Sequence, residues 1–282
     1  MIKIIADSSA DKLYYKGENC EYFEAPLTIT AGDNHFVDDE NLNVENFAEF
    51  FKSYKGRSMT ACPSVESWIE CFRGSDEILV FTLTSGISGT YNSALVAKNE
   101  YLQTNPDAKI EVIDTLSTGA ELRYIVEKAI SLAEQGCNYE SIVQTMKETT
   151  KRTRLFFSLK SLHNFAQNGR VSKLTAQISS VLGIRVFGTA SKEGTLKPIA
   201  KCLSDKIVLK HLIQEFYNSG FKGGKVFIAH LNNEKFVQMV QKAIIDNFEN
   251  VDIAIYQTRG LCSYYVEDGG VLIGFEGEEI YK

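Results

Sequence analysis

Short apolar runs alternate with segments of helical spacing through the first half of the chain, and this alternation is the feature that most restricts its fold. Strands that alternate with helices of this length form parallel β–α–β units, with the helices covering the sheet. The sequence thus predicts an N-terminal α/β domain of the Rossmann type with a mostly parallel sheet. The predicted strands are 2–6, 23–30, 77–83 and 109–114, and the predicted helices are 44–54, 65–72, 89–103, 118–135 and 139–153.

The pattern changes near residue 154, where hairpin and crossover connections mix. The runs 184–190 and 195–203 predict a β-hairpin with Gly194 at its bend. Further strands are expected at 154–159, 225–231, 252–258 and 271–277, with helices at 161–167, 205–218 and 233–248. The second half is therefore predicted to be an α/β domain with a mixed sheet. The predicted domains are 1–154 and 155–282.

Composition and charge exclude several classes of protein. The chain has 282 residues, of which 44% are hydrophobic, and this is enough for a sizeable core. Its net charge of −6 argues against nucleic acid binding, because phosphate backbones attract basic surfaces. No apolar run approaches the roughly 18 residues that cross a membrane. The first apolar run is also too short for a signal peptide, so a cytoplasmic location is expected.

The six cysteines give no sign of metal or redox chemistry. None of them forms a C-x-x-C pair, which is the spacing typical of zinc sites and of disulfide oxidoreductases. In a cytoplasm they are expected to stay reduced. We therefore predict neither a metal nor a cofactor.

The stretch TSGISGTYNSA, residues 84–94, places hydroxyls and glycines between a predicted strand and a predicted helix. Such a loop presents free main-chain N–H groups and the positive end of a helix dipole, which favour an anion. No charged residue lies between Ile78 and Ala97, whereas a P-loop carries a lysine that neutralises phosphate. The loop therefore favours a singly charged carboxylate, although a helix cap alone also explains these residues.

A serine hydrolase is the main catalytic alternative at this loop. Its G-x-S-x-G motif fails, because Thr90 stands where the glycine after Ser88 should be. A triad also needs a histidine held by an acid, and the four histidines are scattered along the chain. We therefore predict no catalytic residue. The loops 7–11 and 59–64 are also rich in hydroxyls, and 7–11 should open on the same sheet edge as 84–90.

Six motifs lie along nearly the whole chain: DSSAD (7–11), APLTIT (25–30), MTACPS (59–64), TSGISGTYNSA (84–94), EVIDT (111–115) and NGRVSK (168–173). Together they resemble those of the DegV family of bacterial fatty-acid-binding proteins. The resemblance implies two α/β domains with a long-chain fatty acid held non-covalently between or within them. It also implies a carrier without catalytic activity, which presents the acid to a separate fatty acid kinase.

The resemblance also implies particular site residues. Thr60 matches the family's carboxylate-contacting threonine, and Arg170 matches an arginine that is a candidate for contact with a phosphate or a partner protein. The family's serine- and glycine-rich loop corresponds to Ser85, Gly86, Ser88, Gly89 and Thr90.

The chain departs from the family pattern in two places. Many members carry Thr-His-Thr-Gly-Pro-Gly near the C-terminus, but residues 261–270 read LCSYYVEDGG and contain no histidine. Tyr264 or Tyr265 is then a candidate hydrogen-bond donor to the ligand, with aromatic packing as the alternative. An arginine expected after the 195–203 strand is also absent.

An apolar wall should supply most of the affinity for a fatty acid. Burying about a dozen methylenes at roughly 0.8 kcal/mol each gives on the order of 10 kcal/mol before the cost of association. Candidates for this wall are Phe156, Phe157, Leu162, Phe165, Leu182 and Phe187, each of which also suits ordinary core packing.

Two other functions stay open on the sequence alone. Arg170 and the hydroxyls at a helix N-terminus also suit an enzyme acting on an acyl or phosphoryl group. A short cavity would suit a sensor of a small carboxylate. For a lipid carrier, transient contact with a membrane surface is compatible with the sequence.

Overall fold

The computed structural model describes residues 1–171, 183–278 and 280–281, and within these ranges the protein is a mixed α/β molecule with three β-sheets. A single 3₁₀ turn, Ser8–Ala10, follows the first strand. The strands are β1 (Ile2–Asp7), β2 (Tyr15–Lys16), β3 (Cys20–Ala25), β4 (Thr28–Ala31), β5 (Asn34–Val37), β6 (Ser58–Ala61), β7 (Glu77–Thr82), β8 (Lys109–Asp114), β9 (Thr153–Leu159), β10 (Arg185–Ala190), β11 (Leu196–Cys202), β12 (Gly224–His230), β13 (Val251–Gln257) and β14 (Val271–Glu276). The helices of the described ranges are α1 (Val44–Ser53), α2 (Val65–Phe72), α3 (Thr90–Thr104), α4 (Gly119–Glu134), α5 (Tyr139–Thr150), α6 (His163–Gln167), α7 (Asp205–Asn218), α8 (Glu234–Asn247) and α9 (Gly260–Val266).

The first sheet has the order β2-β3-β1-β7-β8 and is parallel except for the short edge strand β2. Successive side chains alternate between its faces. Ile4 therefore packs against α4 and α5, while Ile5 packs against α2 and α3. The predicted parallel sheet covered by helices is confirmed.

The second sheet has the order β11-β10-β9-β14-β12-β13 and is antiparallel except for the pair β12–β13. The predicted hairpin joins β10 to β11, and Gly194 lies in its turn with φ +70°, a value that glycine adopts without strain. Helices α7 and α8 cover one face of this sheet. The other face, which carries Phe157 and Leu272, packs toward α4, α6 and α9. The predicted mixed sheet is confirmed.

The third sheet, of order β5-β4-β6, is an element that the sequence pattern does not predict. The run 23–30 was expected to be one strand, but it divides at Pro26 into β3 of the first sheet and β4 of the third. Proline has no N–H group to continue a ladder, which explains the division. The expected loop 59–64 begins as strand β6, after which Ser64 caps α2 by accepting a hydrogen bond from the N–H of Ser67.

The predicted domain boundary falls inside β9, the first strand of the second sheet along the chain. Helix α4 packs against strands of the first sheet and also against β12 and β14 of the second. The division into 1–154 and 155–282 therefore stays a prediction. Across the ranges that the structure describes, every helix is too short or too polar to cross a membrane.

Candidate functional site

A cavity lies between the loops of the first sheet and the inner face of the second. Its space measures about 810 Å³, a figure that includes the open solvent at its mouth. The loops after β7 and β8 form one side, β9, β10 and β14 form the other, and α6 and α9 complete the wall. The carboxyl edge of an open α/β sheet is where such folds bind their ligands.

Most of the cavity wall is apolar. Strand β9 contributes Leu155, Phe157 and Leu159, because alternate residues of a strand point to the same face. The other apolar side chains at the wall are Leu27, Leu83, Ile87, Phe165, Ala190, Leu196, Leu261, Cys262, Val266 and Leu272. A surface of this kind suits a hydrocarbon chain and offers a small polar molecule few partners.

Three polar side chains, Thr60, Tyr265 and Arg170, come together at the wall, and we call them the polar corner. The hydroxyl oxygens of Thr60 and Tyr265 lie 2.8 Å apart. The positive charge of Arg170 acts on the Tyr265 phenol. Thr60 comes from β6 and Tyr265 from α9, while Arg170 follows α6, so the corner depends on tertiary structure.

Tyr265 is a neutral hydrogen-bond donor in this setting. Burial raises the pKa of its phenol and outweighs the opposing effects of the Thr60 hydroxyl and the Arg170 charge. Its ring packs against Phe165, with 4.6 Å between the ring centroids. A protonated phenol held in this way can donate its O–H to an anion in the cavity.

Of the residues predicted in the 84–90 loop, Ser88 brings its hydroxyl to the cavity. Its Oγ lies 2.8 Å from the Oγ1 of Thr90 and also accepts a hydrogen bond from the Thr90 N–H. Thr90 is buried as the first residue of α3, and Gly89 is the N-cap of that helix. Thr90 thus holds the loop from its buried side, while Ser88 lies at the cavity.

Ser85 and Gly86 hold the loop against its neighbours. The N–H of Ser85, an exposed residue, donates to Oδ1 of Asp114 over 3.2 Å. Gly86 packs so closely on the β10–β11 hairpin that an added Cβ would lie 2.3 Å from the carbonyl oxygen of Glu193. Glycine is therefore needed here for close approach between main chains.

The 7–11 loop supports the site from behind. The buried carboxylate of Asp7 accepts hydrogen bonds from the N–H and hydroxyl of Ser9 and from the N–H of Leu83. The hydroxyl of Ser8 accepts from the N–H of Leu27. Burial raises the pKa of Asp7 to about 6. These hydroxyls are used within the fold, so the loop fixes Leu27 and Leu83 at the cavity wall.

The two candidate tyrosines lie on different sides of α9. Tyr265 lines the cavity, whereas the Tyr264 hydroxyl bonds to Ser58 and Asn168 and borders an outer groove. The structure therefore brings Tyr265 to the polar corner and places Tyr264 beside it.

The candidates for the acyl pocket divide between two cores. Phe157 and Phe165 line the cavity, and Leu162 is buried in the same cluster beneath them. Phe156 and Phe187 pack on the opposite face of the second sheet, against α7 and α8. Leu182 lies outside the described residues.

Four hydroxyl side chains at the cavity were not predicted: Thr84, Ser117, Thr118 and Thr195. The hydroxyl of Thr84 donates to the carbonyl oxygen of Gly194 over 2.9 Å and joins the 84–90 loop to the hairpin. This contact bridges 110 residues of sequence. No local pattern could have revealed it.

The cation absent from the 84–94 loop comes from a distant part of the chain. Arg170 lines the same cavity as Ser88, so the neutrality expected of this stretch describes the loop and not the whole site. The part of the chain that the structure describes contains no group of three or more histidine, cysteine, aspartate or glutamate side chains placed to hold a metal ion.

Sequence and structure comparisons show which family this chain is similar to. The family model described as "Uncharacterised protein, DegV family" matches residues 1–277. A DegV domain-containing protein of Streptococcus pneumoniae is 39% identical over 276 residues, which cover 97% of this chain and 98% of the relative.

Two crystal structures share the whole fold. A DegV family protein from Eubacterium eligens, loaded with heptadecanoic acid, matches with 42% identity, a TM-score of 0.94 and coverage of 99% of this chain and 100% of the other. The Streptococcus pneumoniae fatty acid kinase (Fak) B3 protein, loaded with linoleic acid, matches with 39% identity, a TM-score of 0.95 and the same coverage of 99% and 100%. The chain therefore belongs to the DegV family.

Proposed function

We propose that this protein binds one long-chain fatty acid non-covalently, with the hydrocarbon chain along the apolar wall and the carboxylate at the polar corner. The observation that carries the proposal is the corner itself: Thr60, Tyr265 and Arg170 meet at one place in a cavity whose wall is otherwise mostly apolar. The similar proteins loaded with heptadecanoic and linoleic acids support it.

The apolar wall sets the affinity in this proposal, and the polar corner sets the direction of the chain. Burial of about a dozen methylenes contributes on the order of 10 kcal/mol before association costs. A hydrogen bond to a charged group adds only about 1.5–3 kcal/mol. A guanidinium and two hydroxyls nevertheless match a carboxylate, which accepts several hydrogen bonds and carries one charge.

Tyr265 takes the role that the family's missing histidine would have. Its phenol is already bonded to Thr60 and lies within the field of Arg170. Ser88 lies on the same cavity and offers a further hydroxyl.

Mass spectrometry of the protein purified without added lipid tests the proposal. We expect a stoichiometric mass of a C14–C20 acid in the native spectrum and the same acid after organic extraction. The double variant T60V/R170Q should lose most of this acid, because it removes a hydroxyl and the only positive charge among the described cavity-lining residues. Full retention would contradict the placement of the head group, and an empty protein that takes up neither oleate nor palmitate would contradict fatty acid binding.

We further propose that the protein is a carrier that presents the acid to a fatty acid kinase within the cytoplasm. The B3 protein of similar fold is named for such a kinase. Trapping of acyl phosphate with hydroxylamine, in a mixture of the loaded protein, ATP and a bacterial fatty acid kinase, tests this step. Absence of acyl hydroxamate in that mixture would contradict it.

The two alternatives have less support from the geometry. Among the described residues that line the cavity there is no histidine, aspartate, glutamate or lysine to serve as a general base. A small carboxylate would leave the wall from Leu155 to Leu159 without contacts.

A further inference from the structure

We propose that Tyr264 is a positioning residue for the carboxylate site, and that it acts by fixing Arg170 without touching the ligand. The inference rests on the proposed function, because it takes the carboxylate to lie at the polar corner. Tyr264 is 1% exposed and borders the outer groove, on the other side of α9 from the cavity.

Two side chains of strand β6 form hydrogen bonds with the two tyrosines of α9. Ser58 and Thr60 point to the same side of the strand, because they are two residues apart. The Oγ of Ser58 lies 2.7 Å from the Tyr264 hydroxyl, and the Oγ1 of Thr60 lies 2.8 Å from the Tyr265 hydroxyl. The tyrosine rings are 4.9 Å apart and cross at 79°. The pair Thr60–Tyr265 forms part of the cavity wall, and the pair Ser58–Tyr264 lies behind it at the outer groove.

The donors and acceptors around Tyr264 can be assigned from the network. The Oε1 of Gln167 accepts from both the N–H and the hydroxyl of Ser58, at 3.1 and 2.6 Å. Since the Ser58 hydroxyl proton is used there, Tyr264 must donate its own proton to Ser58. The Tyr264 oxygen accepts in turn from Nδ2 of Asn168 over 2.8 Å.

This network ends at Arg170. The carbonyl oxygen of Asn168 accepts from Nη1 of Arg170 over 2.6 Å, and the N–H of Arg170 donates to the carbonyl oxygen of Phe165 over 2.8 Å. Gly169, between them, has φ +70° and turns the chain back on itself. Tyr264 therefore holds Asn168 by its side chain, and Asn168 holds the guanidinium by its main chain.

The substitution Tyr264→Phe removes the hydroxyl and keeps the ring. Tyr264 packs edge-on against Phe51, with centroids 5.0 Å apart, and phenylalanine keeps this contact. Tyr264→Phe removes the donor to Ser58 and the acceptor for Asn168. The turn that carries Arg170 is then held less firmly, while the hydrocarbon wall is unchanged.

The test compares the affinities of the delipidated full chain for oleate and for oleyl alcohol, which has the same hydrocarbon chain without the charge. We expect Tyr264→Phe to weaken oleate binding about five- to tenfold and oleyl alcohol binding less than twofold. Tyr101→Phe is a matched control, because Tyr101 also packs edge-on against a phenylalanine, bonds through its hydroxyl to a main-chain oxygen and lies outside the cavity. It should change neither affinity.

A double-mutant cycle on oleate alone gives a second measurement. In the R170Q background, Tyr264→Phe should have no further effect, because the two residues act as one unit. Equal loss of both ligands in Tyr264→Phe, no loss of oleate, or additive losses in the cycle would overturn the positioning role. R170Q with full oleate affinity would instead contradict the head-group placement, so failure of the proposed function is recognised separately.

Discussion

The buried carboxylate of Asp38 accepts a hydrogen bond from the main-chain N–H of Gly260 over 2.9 Å, and a second from that of Leu261 over 2.8 Å. Asp38 follows β5 of the third sheet, and Gly260 begins α9. The side chain of Asp38 thereby joins the third sheet to the helix that carries Tyr265. Burial raises the pKa of Asp38, whereas the hydrogen bonds from Leu261 and Gly260 favour its charged form.

Replacement of Asp38 by alanine should loosen α9 and release the ligand faster. Two buried N–H groups would lose their acceptor, at a cost of about 1–3 kcal/mol each. We expect the free energy of unfolding to fall by about 3 kcal/mol, as measured by urea denaturation. The dissociation rate of oleate should rise, because Leu261 and Tyr265 belong to the cavity wall.

Asn43 offers a matched control for a lost helix cap. Its exposed side chain caps α1 by accepting from the N–H of Asn46 over 2.9 Å. Asn43→Ala should cost about 1 kcal/mol of stability and leave oleate dissociation unchanged. Equal acceleration of release by both substitutions would indicate general destabilisation and contradict a specific role for Asp38.

Asp11 should make the stability fall as pH rises. It is 5% exposed, its Oδ1 accepts from the N–H of Arg259, and its Oδ2 has no hydrogen-bond partner among the described residues. Burial, aided by the charge of Asp38, raises its pKa from 3.8 to about 7. Between these values the folded state holds more protons than the unfolded state, so stability is lost with rising pH at up to roughly 1.4 kcal/mol per unit.

Asp11→Asn removes this titration while keeping an oxygen that can accept from Arg259. The variant and the natural chain should have similar urea midpoints near pH 4, and the variant should gain relative stability up to pH 8. The exposed Asp33, between β4 and β5, serves as the control. Asp33→Asn should change the urea midpoint by the same amount near pH 4 and at pH 8. A difference in urea midpoint between Asp11→Asn and the natural chain that stays the same at every pH would contradict the prediction.

Ser88 and Ser85 should differ in their effect on carboxylate binding. They lie three residues apart in one loop, but only Ser88 is at the cavity, while Ser85 is exposed. We expect Ser88→Ala to weaken oleate binding about threefold to tenfold and Ser85→Ala to have no effect, as measured by displacement of a fluorescent fatty acid. Equal effects of the two substitutions would contradict a specific contact between Ser88 and the carboxylate.

Most of the regular structure could be predicted from the sequence, because apolar periodicity and caps are local signals. Helix α2 and strand β8 match their predicted ranges. Strand β6 and helix α9 were not predicted, since each is short and depends on partners far along the chain, such as Asp38 for α9. All three residues of the polar corner were candidates from the sequence, but their meeting at one place was not predicted, because they come from three distant parts of the chain.

Two adjacent phenylalanines among the candidates for the acyl pocket differ in their positions in a way that the period of a strand predicts. Phe156 and Phe157 are adjacent in β9, so strand geometry alone places them on opposite faces of the sheet. Both are buried, at 2% and 3% exposure, yet Phe157 lines the cavity and Phe156 packs against α7 and α8. Hydrophobicity could not distinguish them, whereas the two-residue period does.

These two phenylalanines give a paired test of the acyl pocket. Phe157→Leu should enlarge the cavity, so that the ratio of bound C20 to C16 acid rises about threefold, the effect of roughly one methylene contact. Mass spectrometry after equilibration with an equimolar mixture measures this ratio. Phe156→Leu should reduce stability by a similar amount, because both side chains are equally buried, and should leave the ratio unchanged. Equal shifts in the two variants would mean that chain selection depends on overall stability, and an unchanged ratio in Phe157→Leu would mean that the hydrocarbon does not lie along β9.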